Sequence, residues 1–153
     1  MAKKSSPKIV NILLVEDNKG DIRLTQEAIK EWKIRNNLHV VENGVEAMEF
    51  LYHNGKYAGV PIPDLILLDL SLPQKDGRQV LYEIKKNEFL KSIPVIILTA
   101  SSFEEDISKS YEYQANCYIT KPLDFEQLTK VIQAIENFWL TIVTLPNKKK
   151  LPI

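Results

Sequence analysis

The sequence predicts an α/β fold in which a parallel five-stranded sheet carries helices on both faces. Short apolar runs alternate with amphipathic stretches of helical spacing, and no internal repeat is visible. The run at residues 65–68 is apolar throughout, which is typical of a strand covered on both faces. Because crossovers between parallel strands are right-handed, this alternation predicts a doubly wound sheet.

Five apolar runs are the predicted strands, and a polar or charged residue follows each of them. They span residues 9–15, 38–41, 65–68, 95–98 and 116–119. Asn36 and Asn37 are expected to end the first helix, ahead of the second strand. Ligands of such sheets bind at the carboxyl ends of the strands, so a functional site is expected there.

The stretches between the runs predict five helices. Asn18 is the expected N-cap of the first helix, with Asp21 in its first turn. Asp124 and Gln127 predict a capping box at the start of the fifth helix. The expected buried stripe of that helix comprises Leu128, Val131, Ile132, Ile135 and Trp139.

Composition and charge narrow the class of protein. With 153 residues, 44% of them hydrophobic, the chain is expected to form one ordered domain. The 20 basic residues balance the 20 acidic ones, which argues against direct binding to DNA. The single cysteine, Cys117, fits a reducing cytoplasm. Because neither a signal peptide nor a membrane-spanning stretch is visible, a cytoplasmic protein without membrane contact is expected.

Residues able to carry chemistry follow four of the predicted strands. Glu16 and Asp17 follow the first strand, Asp69 the third, Thr99 the fourth, and Lys121 lies just beyond the fifth. These strand ends share one edge of the sheet. Carboxylates gathered in a crevice suit Mg²⁺, and an ammonium group beside them can neutralise a phosphoryl group. The set predicts phosphoryl transfer to a carboxylate, with Asp69 as the nucleophile.

Five short motifs, in this order, resemble the receiver domain of two-component response regulators. They are Leu14-Val15-Glu16-Asp17, Leu67-Leu68-Asp69-Leu70-Ser71-Leu72-Pro73, Asp76-Gly77, Leu98-Thr99-Ala100 and Lys121-Pro122. The resemblance spans residues 8–137 and implies a flavodoxin-like sheet of strand order 2-1-3-4-5. It implies Asp69 as the phosphoacceptor and Asp17 as a direct Mg²⁺ ligand. Glu16 would act through metal-bound water, and Ser71 through its backbone carbonyl.

The resemblance also implies a switch and a phosphoryl donor. Tyr118 stands three residues before Lys121, where the family carries a switching aromatic residue. Thr99 would move toward a phosphoryl group on Asp69, and Tyr118 would turn into the vacated space. The donor would be a sensor histidine kinase. The only chemistry expected of the chain is its own phosphorylation and slow dephosphorylation, so it is not expected to be an enzyme.

Residues 138–153 are expected to form a C-terminal extension. This extension and the loop at residues 59–63 resemble the single-domain regulators that partner cyanobacterial phytochromes. The resemblance implies a phytochrome as the kinase, and because no effector domain follows, output is expected through a protein contact. Phe138, Trp139 and Leu145 are too apolar for a free tail. They either fold back on the domain or form a homodimer interface, and the dimer is favoured.

Three further functions remain open from the sequence. A phosphohydrolase of the haloacid dehalogenase type would turn over external substrates through Asp69, but it needs a second acid where Ser71 stands. A constitutive docking scaffold would not respond to phosphate, and the complete set of site residues argues against it. A flavin-binding module is the weakest of the three. His39 and His53 are expected to be surface residues, since no metal-type spacing joins them.

Overall fold

The computed structural model of the chain describes residues 9–121 and 124–142. Within that part, five parallel strands form one sheet in the order β2-β1-β3-β4-β5. The strands are β1 (Val10–Val15), β2 (Asn36–Val41), β3 (Leu65–Leu68), β4 (Val95–Thr99) and β5 (Cys117–Thr120). The predicted fold class and strand order are therefore confirmed.

Five α-helices alternate with the strands. They are α1 (Lys19–Lys30), α2 (Gly44–Leu51), α3 (Gly77–Lys86), α4 (Glu104–Glu112) and α5 (Phe125–Ile135). A short 3₁₀ turn (Gly55–Tyr57) follows α2, and a π-helical segment (Glu136–Ile142) continues α5. The predicted Asn18 cap of α1 is present, and so is the predicted capping box of α5. No helix in the described residues is long and apolar enough to cross a membrane.

The central strands are buried on both faces of the sheet. Leu13 of β1 and Ile66 of β3 belong to one core cluster, which includes residues of α2 and α3. Leu14 and Leu67, their neighbours in the chain, belong to a second cluster formed with α1 and α5. This alternation is the period of two expected of strands. Acids at the ends of β1 and β3 are therefore held by two rigid strands.

The second strand begins earlier than predicted. Asn36 and Asn37 were expected to end the first helix, but α1 ends at Lys30 and the two asparagines pair with Val10 and Asn11 of β1. The Asn36 side chain also donates a hydrogen bond to the Ile34 carbonyl at 3.0 Å. Asparagine has low strand propensity, and pairing with a central strand overrides that preference here.

Gly77 lies where the start of α3 approaches the chain just beyond β3. A Cβ atom there would lie 2.1 Å from the Asp69 carbonyl oxygen and 2.6 Å from the Leu70 Cα. Gly77→Ala is therefore expected to lower the free energy of unfolding by about 2–3 kcal/mol, because the backbone must move to relieve the overlap. Gly59→Ala is the matched control, since nothing lies within 4 Å of its added methyl group. Urea denaturation compares the two, and equal stabilities would contradict the prediction.

Candidate functional site

Three acidic side chains meet where β1 and β3 end. Glu16 and Asp17 follow β1, and Asp69 follows β3, its direct neighbour in the sheet. One carboxylate oxygen from each lies within 4.8 Å of the other two. Glu16 and Asp69 are buried, whereas Asp17 is exposed. Several carboxylate oxygens converging at a point open to solvent suit a hard divalent cation, so the residues present fit one.

Asp69 receives contacts from three directions. The Thr99 hydroxyl, at the end of β4, donates to Asp69 Oδ1 at 2.7 Å. The Ser71 backbone N–H donates to the same oxygen at 3.1 Å. On the other side, Lys121 Nζ lies 3.4 Å from Asp69 Oδ2. The structure thus brings the predicted hydroxyl and ammonium groups to the central carboxylate.

Lys121 is shared among three carboxylates. Besides Asp69, its Nζ contacts Glu16 Oε2 at 2.6 Å and Asp21 Oδ2 at 2.7 Å. Burial alone would lower the pKa of Lys121, but hydrogen bonds to Asp21 and Glu16 outweigh burial and raise that pKa. Lys121 therefore carries its positive charge at neutral pH.

The pKa of the Glu16 carboxyl group lies well above its usual range. Burial raises the pKa of Glu16 to about 7, although the hydrogen bond from Lys121 opposes the shift. The negative charge of Asp69 adds to the rise. A cation bound among these carboxylates would favour the ionised form of Glu16. Binding of a divalent cation is therefore expected to release protons near neutral pH.

Asp21 belongs to the site, and sequence reasoning missed it. The sequence indicated an acid in the first turn of α1, which the structure confirms. Its carboxylate also contacts Lys121, which lies 100 residues later in the chain. No motif joins the two positions. A usable signal was its place one turn after Glu16 and Asp17, at the same edge of the sheet.

Tyr118 contacts the loop that follows β4, and this loop begins beside the site. Tyr118 is half-buried, and its hydroxyl donates to the Ser101 carbonyl at 2.7 Å. The Thr99 hydroxyl already points at Asp69. The structure therefore places Thr99 at Asp69 and Tyr118 beside the neighbouring loop. Movement of either residue stays a prediction.

An ion pair links α3 to the start of α4, directly after this loop. Arg78 donates from Nε to Asp106 Oδ1 at 2.7 Å and from a terminal nitrogen to Oδ2 at 2.6 Å. The Ser101 hydroxyl donates to the same carboxylate at 2.5 Å. Asp106 therefore connects α3, the start of α4 and the loop that Tyr118 contacts. The hydrogen bonds from Arg78 lower the pKa of Asp106 to about 2.

This ion pair predicts an acid-dependent part of the stability. Because the pKa of Asp106 is lower in the folded state than in the unfolded state, the stabilisation is complete above about pH 5 and declines as the pH falls toward about 2. Arg78 is partly exposed, so Asp106→Asn is expected to lower the free energy of unfolding by about 1 kcal/mol at about pH 7. About half of that loss is expected at about pH 3.

Chemical denaturation across this pH range measures the difference between Asp106→Asn and the unaltered protein. Glu105→Gln is the control, because Glu105 is exposed and pairs only loosely with Lys109 at 3.3 Å. A difference for Asp106→Asn that does not depend on pH would contradict the account of this ion pair.

The predicted tail residues are only partly described. Phe138 is 52% exposed, whereas Trp139 is half-buried and packs against the core cluster shared by α1 and α5. Their rings meet edge to face with centroids 5.6 Å apart. Leu145 lies outside the described residues. Trp139 thus folds back on the domain, and an interface at Phe138 stays a prediction.

The remaining candidates lie outside the site. His39 and His53 are half-buried rather than exposed, and neither belongs to the acid cluster found in the described residues. Cys117 is also half-buried, and burial raises the pKa of its thiol. Neither histidine nor the cysteine is therefore assigned a chemical role.

Known proteins that resemble this chain include two single-chain regulators that it matches over most of their length. The family model for the response regulator receiver domain matches residues 12–133. Response regulator Rcp1 of Synechocystis sp. (strain ATCC 27184 / PCC 6803 / Kazusa) is 52% identical over 146 residues, covering 95% of this chain and 99% of that protein. The probable methanogenesis regulatory protein FilR2 of Methanothrix harundinacea is 38% identical over 130 residues, covering 84% of this chain and 83% of that protein.

Solved structures agree with this result. The phosphorylated cyanobacterial phytochrome response regulator RcpA has a TM-score of 0.88 at 50% identity, covering 92% of this chain and 100% of that chain. The Mn²⁺-bound form of response regulator Rcp1 has a TM-score of 0.86 at 52% identity, covering 90% of this chain and 99% of that chain. With its five-stranded sheet and its acidic cluster, the chain belongs to the response regulator receiver family.

Proposed function

We propose that this receiver accepts a phosphoryl group on Asp69, beside Mg²⁺, from a sensor histidine kinase of the phytochrome type. The observation that carries the proposal is the convergence on one buried carboxylate. The Thr99 hydroxyl lies 2.7 Å from Asp69, and the Lys121 ammonium lies 3.4 Å from it. A constitutive scaffold or a flavin-binding module would not need these groups together.

Transfer requires a nucleophile and compensation of charge. An oxygen of the Asp69 carboxylate would form the new P–O bond while the P–N bond to the kinase histidine breaks, and the imidazole would leave with the bonding electrons. Lys121 would neutralise phosphoryl oxygens as a point charge. Thr99 would turn its hydrogen bond from the carboxylate to a phosphoryl oxygen. The protein would thus supply position and charge, which dominate catalysis of phosphoryl transfer.

The acid cluster is the proposed metal site. Glu16, Asp17 and Asp69 would hold Mg²⁺, with the Ser71 carbonyl as a further ligand. When bound, the cation would offset negative charge on the transferring group. The convergence of three carboxylates supports this assignment, and so does the Mn²⁺-bound form of the related Rcp1.

The output is proposed to be a change of protein contacts. Tyr118 and Thr99 would report the phosphoryl group to the surface around α4 and β5. Residues 8–137 would form the receiver, and 138–153 an extension that contributes to a homodimer through Phe138. Support for an interface at this place comes from the exposure of Phe138.

Phosphotransfer tests the proposal. A phytochrome kinase is first labelled with radioactive ATP and freed of nucleotide, and the receiver is then added with Mg²⁺ or with EDTA. We expect label to move to the receiver within minutes with Mg²⁺ and to stay on the kinase with EDTA. Stoichiometric labelling in EDTA would contradict the metal assignment. Steady release of phosphate from added phosphomonoesters would instead support a phosphohydrolase.

A further inference from the structure

The carboxylate of Asp21 pairs with Lys121. Among the described residues it makes an ion pair with Lys121 at 2.7 Å and no other hydrogen bond or ion pair. The Asn18 cap uses only the backbone N–H of Asp21, and Thr25 uses only its carbonyl. The hydrogen bonds that build the first turn of α1 therefore do not use the Asp21 carboxylate.

Lys121 lies between Asp21 and the acids that could bind a cation. Glu16 and Asp69 belong to the cluster that fits a divalent cation, whereas Asp21 stands outside it. An ammonium group resting on Glu16 at 2.6 Å opposes a cation that needs the same carboxylates. The side chain of Lys121 is only 11% exposed, so water screens this competition weakly.

We propose that Asp21 is a positioning residue for Lys121. It shares the ammonium group with Glu16 and Asp69, and so weakens the competition between this ammonium and a cation bound to those two carboxylates. Asp21 then favours cation binding through Lys121 rather than through its own charge. A phosphoryl group on Asp69 would compete with Asp21 for the same ammonium. The inference rests on the proposed function for the use of Lys121, but cation binding can be measured without any phosphoryl donor.

A double-mutant cycle separates the two routes by which Asp21 could act. Binding of Mn²⁺ to the unphosphorylated chain is followed by the electron paramagnetic resonance signal of the free ion. Asp21→Asn is measured alone and together with Lys121→Met. If Asp21 acts through Lys121, its replacement matters only while the lysine is present.

The expected result is a loss of affinity for Mn²⁺ of about fivefold for Asp21→Asn alone. In the Lys121→Met background the same substitution is expected to change the affinity by less than about twofold. Asp21→Glu keeps the carboxylate and is expected to restore most of the affinity. Glu42→Gln is the charge control, because Glu42 follows β2 at the same edge of the sheet and pairs with Lys19 at 2.8 Å.

Equal losses in both lysine backgrounds would overturn the inference, since they would mean that Asp21 acts by its charge alone. An unchanged affinity for Asp21→Asn would overturn it as well. Circular dichroism checks that each variant is folded, and Lys121→Gln replaces Lys121→Met if the latter does not fold. If the unaltered chain binds no Mn²⁺, the proposed metal site fails. If the chain binds Mn²⁺ but Asp21→Asn has no effect, only the role of Asp21 fails.

Discussion

Replacing Asp69 with Asn is expected to lower phosphoryl transfer from the kinase by at least about a thousandfold. An amide oxygen is a poor nucleophile. In the described residues, no second carboxylate contacts both the Thr99 hydroxyl and the Lys121 ammonium group. The fold is expected to survive, because the amide oxygen can still accept hydrogen bonds from Thr99 and from the Ser71 N–H. The free energy of unfolding should stay within about 1 kcal/mol of the unaltered protein.

Asp64→Asn is the matched control for this prediction. Asp64 is also a buried aspartate, but it lies at the opposite end of β3, where it accepts a hydrogen bond from the Asn11 N–H. Phosphotransfer from the same labelled kinase should be unchanged in this variant. Full labelling of Asp69→Asn, or equal loss of labelling in both variants, would contradict the assignment of the phosphoacceptor.

Replacing Lys121 with Met is expected to lower the free energy of unfolding by about 2–4 kcal/mol when divalent cations are absent. The lysine is the only cation that contacts Glu16, Asp21 and Asp69 in the described residues. Its loss leaves carboxylates close together, and Glu16 is buried. Mg²⁺ supplies the missing positive charge, so saturating Mg²⁺ should recover most of the lost stability.

Urea denaturation in EDTA and in Mg²⁺ measures this recovery. Lys85→Met is the control, because Lys85 is a lysine that donates to carbonyl groups of Lys91 and Ile93 instead of to carboxylates. Adding Mg²⁺ should change the free energy of unfolding of Lys85→Met no more than it changes that of the unaltered protein. If Mg²⁺ fails to rescue Lys121→Met, the charge balance described for the site is wrong.

The sequence predicted the sheet and the site because both depend on local patterns. Strands β1, β3 and β4 are built on short apolar runs, and the site residues Asp69 and Thr99 each come directly after such a run. A parallel sheet then brings the strand ends to one edge without any further information. Strand β2 was placed less well, because pairing of Asn36 with Val10 is a long-range effect that propensity does not reveal.

Contacts between side chains far apart in the sequence could not be predicted in the same way. Asp21 reaches Lys121 only because α1 begins beside the carboxyl end of the sheet. Arg78 reaches Asp106 from a different helix, and no spacing in the sequence links the two positions. Such side-chain pairs depend on how helices pack against the sheet, and periodicity gives each helix only its buried face.

The most direct test of the central claim is to locate the phosphoryl group. The receiver is phosphorylated by the kinase with Mg²⁺, reduced with borohydride and digested, and its peptides are sequenced by tandem mass spectrometry. Reduction converts an aspartyl phosphate to homoserine, so we predict homoserine at position 69 and unmodified acids at Glu16, Asp17 and Asp21. Homoserine at another aspartate, or phosphate retained on His39 or His53, would contradict the account.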